Sequence, residues 1–317
     1  MTSLRKFIEK INTEMGFTGE LRYDEPLALH TTFKVGGPAD LWIRPDAGCF
    51  LEYGAFLLHH ARAAGIPVFV LGGGANLVAA DQGIRGIVLD TGGWSGLSIT
   101  GEDAIIRSGT RIDAALDILA AYKRGGIEFL AGMPGSLGGA LWMNARCYEK
   151  SLSDVLVSAT CLDTAFHQSL VPYRYEDYGY KQSPFQNQDG LILSIRLRTV
   201  PRPETAIRQE MEQYRLDREH KGHYRFPSAG SAFKNNRNFG KPTGKILDEL
   251  GLRGLQIGGA AVAPWHGNII INTGNARAQD IRALVLHITE YVQTALGIHL
   301  EPEIRFVGDW PSQATPR

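Results

Sequence analysis

The 317-residue sequence has no charge of either sign to spare: 33 Lys and Arg stand against 33 Asp and Glu. No broad basic surface follows from such a balance, which excludes nucleic acid as a main partner. A local basic pocket for a small phosphorylated ligand stays compatible with it. Cysteine is scarce, at Cys49, Cys147 and Cys161. The odd count and the lack of any C-x-x-C argue against a disulfide framework and for a reducing compartment. No apolar run reaches the roughly 18–20 residues of a membrane span. The opening "MTSLRKFIEKINTEMGF" lacks the layout of a secretory signal; Leu4, Phe7, Ile8, Ile11 and Met15 recur at helical spacing instead. A cytoplasmic protein is expected. Also missing are a G-K-[ST] phosphate loop, the G-x-G-x-x-G turn and the G-x-S-x-G elbow. His220 and His223 form an H-x-x-H pair, but no neighbouring cysteine or carboxylate completes a zinc set, so no metal is expected.

What is abundant is glycine, 37 residues gathered in clusters. These are "KVGGPAD" (34–40), "LGGGANLV" (71–78), "LDTGGWSG" (89–96), "LAGMPGSLGGA" (130–140) and "LQIGGAA" (255–261). Strand-like runs lie between them, at 39–44, 67–71, 86–90, 97–99, 104–108 and 155–163, and 191–200 alternates apolar and polar residues. Helices are predicted over about 47–64 and 111–125, the second stopping on glycines. After the prolines at 201 and 203 the texture changes to helices at 204–221, 243–251 and 278–297, with strands at 268–272 and 299–308. Length favours more than one packed unit. The class is α+β, and the irregular alternation of strands and helices argues against a doubly wound sheet.

Consecutive glycines let backbone N–H groups turn onto an anion with no Cβ in the way. "LGGGANL" directly follows a strand and suits that task, and "AGMPGSLGGA" is a second such loop; together they can clasp one long dinucleotide. Tight turns explain either loop equally well. In "PSAGSAFKN" (227–235), Ser231 stands between Gly230 and Ala232, with Lys234 and Asn235 beyond. It is a candidate nucleophile, proton donor or helix cap; no adjacent histidine supplies the base a nucleophile needs, and turn or cap chemistry is the plain alternative. Glu303 in "LEPEIRF" and Lys181 in "GYKQS" are further candidates that can equally be solvated surface charges. The five tryptophans are scattered and read as packing residues.

Taken in order, "HTTFKVGGPAD", "LGGGANLVAADQGIRGIVL", "GIEFLAGMPGSLGGALWMNA", "FPSAGSAFKN", "GKILDELGLRGLQIGGAAVAPWHGNIIIN" and "LEPEIRFVG" resemble the UDP-N-acetylenolpyruvoylglucosamine reductases, in their shorter form. The resemblance runs from about residue 30 to 308. It implies an FAD-binding domain of the vanillyl-alcohol-oxidase type plus a smaller α+β substrate domain. The implied division is 1–65 joined by 298–317, then 66–202 for FAD and 203–297 for the UDP-sugar. It implies FAD and NADPH as cofactors, an enolpyruvyl UDP-sugar as substrate, and a monomer. It implies reduction of the enolpyruvyl group to UDP-N-acetylmuramate in peptidoglycan precursor synthesis. By motif match, Gly72, Gly73, Gly74, Ala75, Asn76 and Leu77, with Gly132, Pro134, Gly135, Ser136 and Gly139, would hold the flavin nucleotide. Ser231 would give a proton to carbon, with room left for the ligands by Gly230 and Ala232. Glu303 and Lys181 would steady the charge spreading into the substrate carboxylate. Tyr180, Lys234 and Asn235 would touch the UDP-sugar.

Three stretches depart from the family pattern. Lys181 occupies the place of an arginine, so charge is kept and the planar fork is lost; Arg174 lies seven residues earlier. "NARCYEK" puts Arg146 and Glu149 where small residues are usual near the flavin, and "HGNIIIN" replaces "HANFIVN". A flavoprotein with another substrate and a nucleotide-binding module without turnover are the alternatives. Retention of Ser231 and Glu303 speaks against the second of these.

Overall fold

The structure is a computed structural model that describes residues 2–163, 167–187 and 190–311. It divides into two compact units. The first comprises Met1–Tyr23, Leu41–Gly73 and Gly86–Asp217; the second, Asp24–Asp40, Gly74–Arg85 and Arg218–Arg317.

In the first unit, helix α1 (Thr2–Met15) buries Ile8 and Ile11 against helix α2 (Phe50–Ala63), sharing a core with Leu41, Ile43, Ile87 and Leu89. These strand residues belong to a four-stranded sheet ordered Gly19–Pro26, Pro38–Pro45, Ile84–Asp90, Val68–Leu71, whose last pair is parallel. A five-stranded antiparallel sheet follows, ordered Gln168–Pro172, Leu156–Leu162, Leu191–Arg198, Asp103–Arg107, Leu97–Thr100. Its central strand buries Leu191, Leu193, Ile195 and Leu197, as strict alternation requires. Helices α3 (Ile112–Ala121) and α4 (Leu137–Trp142) share the core of its inner face. Helix α3 ends earlier than its glycines suggested, because Lys123 takes the left-handed position after the last turn (φ 57°). Helix α4 begins inside the glycine cluster at 130–140, where glycine content masks helix propensity. Helix α5 (Glu204–His220) contributes Ile207 and Met211 to the same core despite its charge. The unit boundary passes through it.

The second unit holds an antiparallel sheet ordered Ser228–Ser231, Ile269–Asn272, Ala260–Val262, Gln256–Ile257, and helices α6 (Thr243–Glu249) and α7 (Ala278–Leu296). Helix α7 buries Ile281, Leu284, Val285, Ile288 and Val292, an unbroken apolar stripe. Its first two N–H groups, of Ala278 and Gln279, donate to the Asp81 carboxylate, and Gly297 closes it in the left-handed region. The terminal strand expected over 299–308 is regular only at Arg305–Val307, paired parallel to Leu77–Ala79. Pro302 has no N–H to give a ladder. At Pro302 the chain makes instead a single bridge, with Phe233. Among the described residues, no helix is long and apolar enough to cross a membrane.

Candidate active site

The first glycine loop leaves the strand Val68–Leu71 and runs to Leu77. Its carbonyls are held by the protein: Thr32 N–H donates to Gly74 O (3.0 Å), Thr32 Oγ1 to Ala75 O (3.4 Å) and Arg305 N–H to Asn76 O (3.0 Å). Its N–H groups are not. Among the described residues, the five consecutive N–H groups of Gly72, Gly73, Gly74, Ala75 and Asn76 meet no protein acceptor. With the carbonyls of Gly74, Ala75 and Asn76 engaged and all five N–H groups without a protein acceptor, the loop offers more donors than acceptors, as an anion cradle requires.

Glycine is required here by close backbone approach. A Cβ on Gly73 would lie 2.4 Å from the Gly135 Cα, and one on Gly74 (φ 62°) 1.9 Å from the His30 carbonyl oxygen. The second loop therefore lies directly against the first at Gly73. In it, Gly135 and the buried Ser136 also have N–H groups with no protein acceptor among the described residues. Other donors of this loop are spent internally. Gly132 N–H donates to Asp113 Oδ1 (3.0 Å), and Gly139 N–H to Ser136 Oγ (3.3 Å), which caps α4. Pro134 is exposed and has no N–H. Leu77 is already in the strand beside Arg305. Within the first unit, Gly72, Gly73, Gly135 and Ser136 thus offer four such N–H donors where the two loops touch.

Ser231 ends the strand Ser228–Ser231, half-buried beside Gly230. Gly230 is left-handed (φ 74°), and a Cβ there would meet nothing within 4 Å, so conformation rather than crowding calls for glycine. Ala232 corrects the expectation attached to it. It is buried with Phe233, Leu300 and Ile304, and its small size serves the core rather than a ligand.

The backbone then brings Glu303 alongside: its N–H donates to Ala232 O (2.8 Å), and its own carbonyl accepts from Asn76 Nδ2 (3.0 Å). Asn76 thereby links the first glycine loop to the Glu303 segment. Lys234 makes an ion pair with Glu301 at 2.5 Å, and the Asn235 side-chain oxygen accepts from Thr243 N–H (2.9 Å) at the start of α6.

Sequence reasoning missed Asn268. It is buried, donates from Nδ2 to Phe233 O (2.8 Å), and accepts at Oδ1 from Phe233 N–H (2.9 Å) and at its carbonyl from Ala232 N–H (2.8 Å). This clamp fixes the two residues after Ser231. The Asn268 N–H in turn donates to His266 Nδ1 (3.0 Å). Burial, partly opposed by the Asp248 carboxylate, holds His266 below its ordinary pKa, so the ring stays a neutral acceptor. The "WHGN" tetrad (265–268) was the available signal.

Lys181 lies in the first unit, in a tight turn closed by mutual hydrogen bonds between Gly179 and Gln182. Tyr180 precedes it on the surface, 38% exposed. The Lys181 backbone is left-handed (φ 58°), a conformation that favours glycine. Arg146 and Glu149 pair with each other at 2.8 Å, on a loop where Tyr148 and Glu149 are left-handed too.

Comparison with known proteins agrees with this geometry. Residues 222–307 match the description "UDP-N-acetylenolpyruvoylglucosamine reductase, C-terminal domain", and residues 55–165 match "FAD binding domain". The protein named UDP-N-acetylenolpyruvoylglucosamine reductase in Treponema pallidum is 38% identical over 91% of this chain and 94% of its own length. That of Borreliella burgdorferi is 35% identical over 96% and 98%. The crystal structure of the Thermus caldophilus reductase superposes with a TM-score of 0.74 at 31% identity, covering 93% of this chain and all of that one. Relatives this similar, matched along nearly their whole length, show that the chain belongs to the UDP-N-acetylenolpyruvoylglucosamine reductase family, with an FAD-binding domain of α+β build.

Proposed function

We propose that this chain is the NADPH-dependent flavoenzyme that reduces the enolpyruvyl group of UDP-N-acetylglucosamine enolpyruvate to UDP-N-acetylmuramate. The observation that carries the reading is the run of unpartnered N–H groups from Gly72 to Asn76, tied through the Asn76 side chain to Glu303. When bound, FAD supplies hydride carriage from NADPH to the terminal carbon of the enolpyruvyl group. The N–H groups of Gly72–Asn76, with those of Gly135 and Ser136, would hold its diphosphate. Gly132, Pro134 and Gly139 shape the second loop, and Leu77 anchors the end of the first.

The chain's own task is to manage charge and one proton. Addition at the terminal carbon leaves negative charge on the neighbouring carbon, spread into the carboxylate. Lys181, through its ammonium, and Glu303 would steady that charge. Ser231 Oγ gives its proton to the carbon; a carbanion is basic enough to take it from an alcohol. Tyr180, Lys234 and Asn235 contact the UDP-sugar, Lys234 through an ammonium already steadied by Glu301. We further propose a monomer working in the cytoplasm. Its functional division would be 1–65 with 298–317, 66–202 for FAD and 203–297 for the UDP-sugar.

The test is an anaerobic two-step assay on the yellow holoprotein. NADPH should bleach the flavin and the enolpyruvyl UDP-sugar should restore it. Ser231→Ala should bleach normally and recover about 10²–10⁴-fold more slowly. Equal losses in both steps would remove Ser231 from its role. Bleaching without recovery in the unaltered protein would mean another substrate.

A further inference from the structure

The turn that carries Lys181 is suspended from α4. The last residue of that helix is Trp142, and the carbonyls of a last helical turn take their donors from outside the helix. Two side chains from the 183–187 segment donate to the Trp142 carbonyl: Ser183 Oγ at 2.7 Å and Gln186 Nε2 at 2.9 Å. The same Gln186 Nε2 also donates to the Lys181 carbonyl oxygen at 3.0 Å. On the other side of the turn, the buried Asn144 donates from Nδ2 to Gly179 O at 2.9 Å, and its Oδ1 accepts from Ser153 N–H at 3.1 Å. Both ends of the turn are thus fastened to the segment that begins at the second glycine loop, where Ser136 caps α4. The two are separated by roughly 9 Å of helix.

Ser183 alone would satisfy the Trp142 carbonyl. What Gln186 adds is the second bond, onto the one residue of the turn whose backbone is left-handed. A lysine in that region drifts toward extended backbone unless something holds its peptide, and a shift there swings the ammonium away. Resting on the reading of Lys181 given above, we propose that Gln186 is a positioning residue for the cation. Its amide bridges the carbonyls of Trp142 and Lys181, and so fixes the Lys181 side chain relative to the helix that starts at the flavin loop. Gln186 touches no substrate; it acts through Lys181.

Gln186→Met keeps length and bulk but removes both donors. In the holoenzyme, bleaching by NADPH should stay within about twofold, while recovery with the enolpyruvyl UDP-sugar should slow about tenfold. The dissociation constant of that substrate for the oxidised enzyme should move by less than about twofold. In a Lys181→Ala background, Gln186→Met should add less than about twofold, since the cation it positions is gone. Ser183→Ala, which loses a bond to the same Trp142 carbonyl but none to Lys181, should recover at the unaltered rate. If the methionine variant fails to accumulate, Gln186→Asn, one methylene too short to bridge both carbonyls, reads the same way. Unslowed recovery in these variants, additive losses with Lys181→Ala, or an equal slowing in Ser183→Ala would each overturn the proposal. Lys181→Ala with full turnover would overturn the reading of Lys181 itself and this inference with it. Lys181→Ala slow with Gln186→Met fast would overturn the inference alone.

Discussion

Two loops rich in glycine lie against each other in this protein, and they are glycine-rich for different reasons. In the first, 72–76, the carbonyls of Gly74, Ala75 and Asn76 are tied down, and five successive N–H groups are left without acceptors among the described residues. In the second, 132–139, most donors are consumed within the unit: Gly132 on Asp113, Gly138 on Ser108 O, and Gly139 on Ser136. Only Gly135 and Ser136, where the loops touch, keep theirs. The first loop is built to receive an anion and the second is built to pack. A glycine count does not separate the two; the destination of each N–H does.

That contrast can be broken most sharply at Gly73. A Cβ there meets the Cα of Gly135 at 2.4 Å and its carbonyl carbon at 2.6 Å, backbone atoms that cannot give way. Gly73→Ala should strain the joint by about 2 kcal/mol or more, equivalent to roughly a thirtyfold loss of FAD affinity. The ratio of flavin to protein absorbance after gel filtration reads it directly, and a fully yellow variant would refute the cradle.

A smaller effect of another kind is expected at Gly138. Its added Cβ would lie 2.7 Å from the Ser108 Cβ and 2.9 Å from the Ser108 carbonyl oxygen. Gly138→Ala should destabilise by about 1–3 kcal/mol, less about 0.5–1 kcal/mol regained from helix propensity. It should lower the melting temperature while the folded protein keeps its flavin. Loss of flavin without loss of stability would mean that the second loop also binds through Gly138.

The smallest expected effect distinguishes the loops by pH. His266 is held below its ordinary value of 6.5 by burial, so the unfolded chain binds its proton first as pH falls. The stability this ring contributes is complete above about pH 6.5 and declines as pH drops through the lowered folded-state value. His266 supports Asn268, and both lie in the second unit with residues 74–76 of the first loop. Acidification should therefore raise hydrogen exchange at 74–76 more than at 132–139, and His266→Gln should remove the difference.

Much of the architecture was readable in advance. The i, i+3, i+4 stripe of α7 and the alternation of Leu191–Arg198 need only their own residues to declare which face is buried. The ordered motifs announced the family, because a chain of six matched stretches carries far more information than any single glycine cluster. Less was readable where one segment answers to another distant in sequence. Asp81 caps α7 across nearly two hundred residues, Asn268 clamps the segment after Ser231, and Gln186 bridges two carbonyls. None of these has a local signature, since an asparagine or glutamine looks the same whether it faces water or a buried peptide. Ala232 misled for the same reason: a small residue beside a serine reads as clearance, and the core it fills is invisible in the chain.

The order of the residues by itself determined the family, the α+β class and the position of the helices and of most strands, because periodicity and local backbone preference depend on near neighbours. The tertiary structure alone decided which glycine loop has N–H groups to offer, which serine-adjacent residue faces the core, and what holds Lys181 in a left-handed turn. Those outcomes depend on where each donor and acceptor finds its partner, and partners far apart in the chain meet only once it has folded.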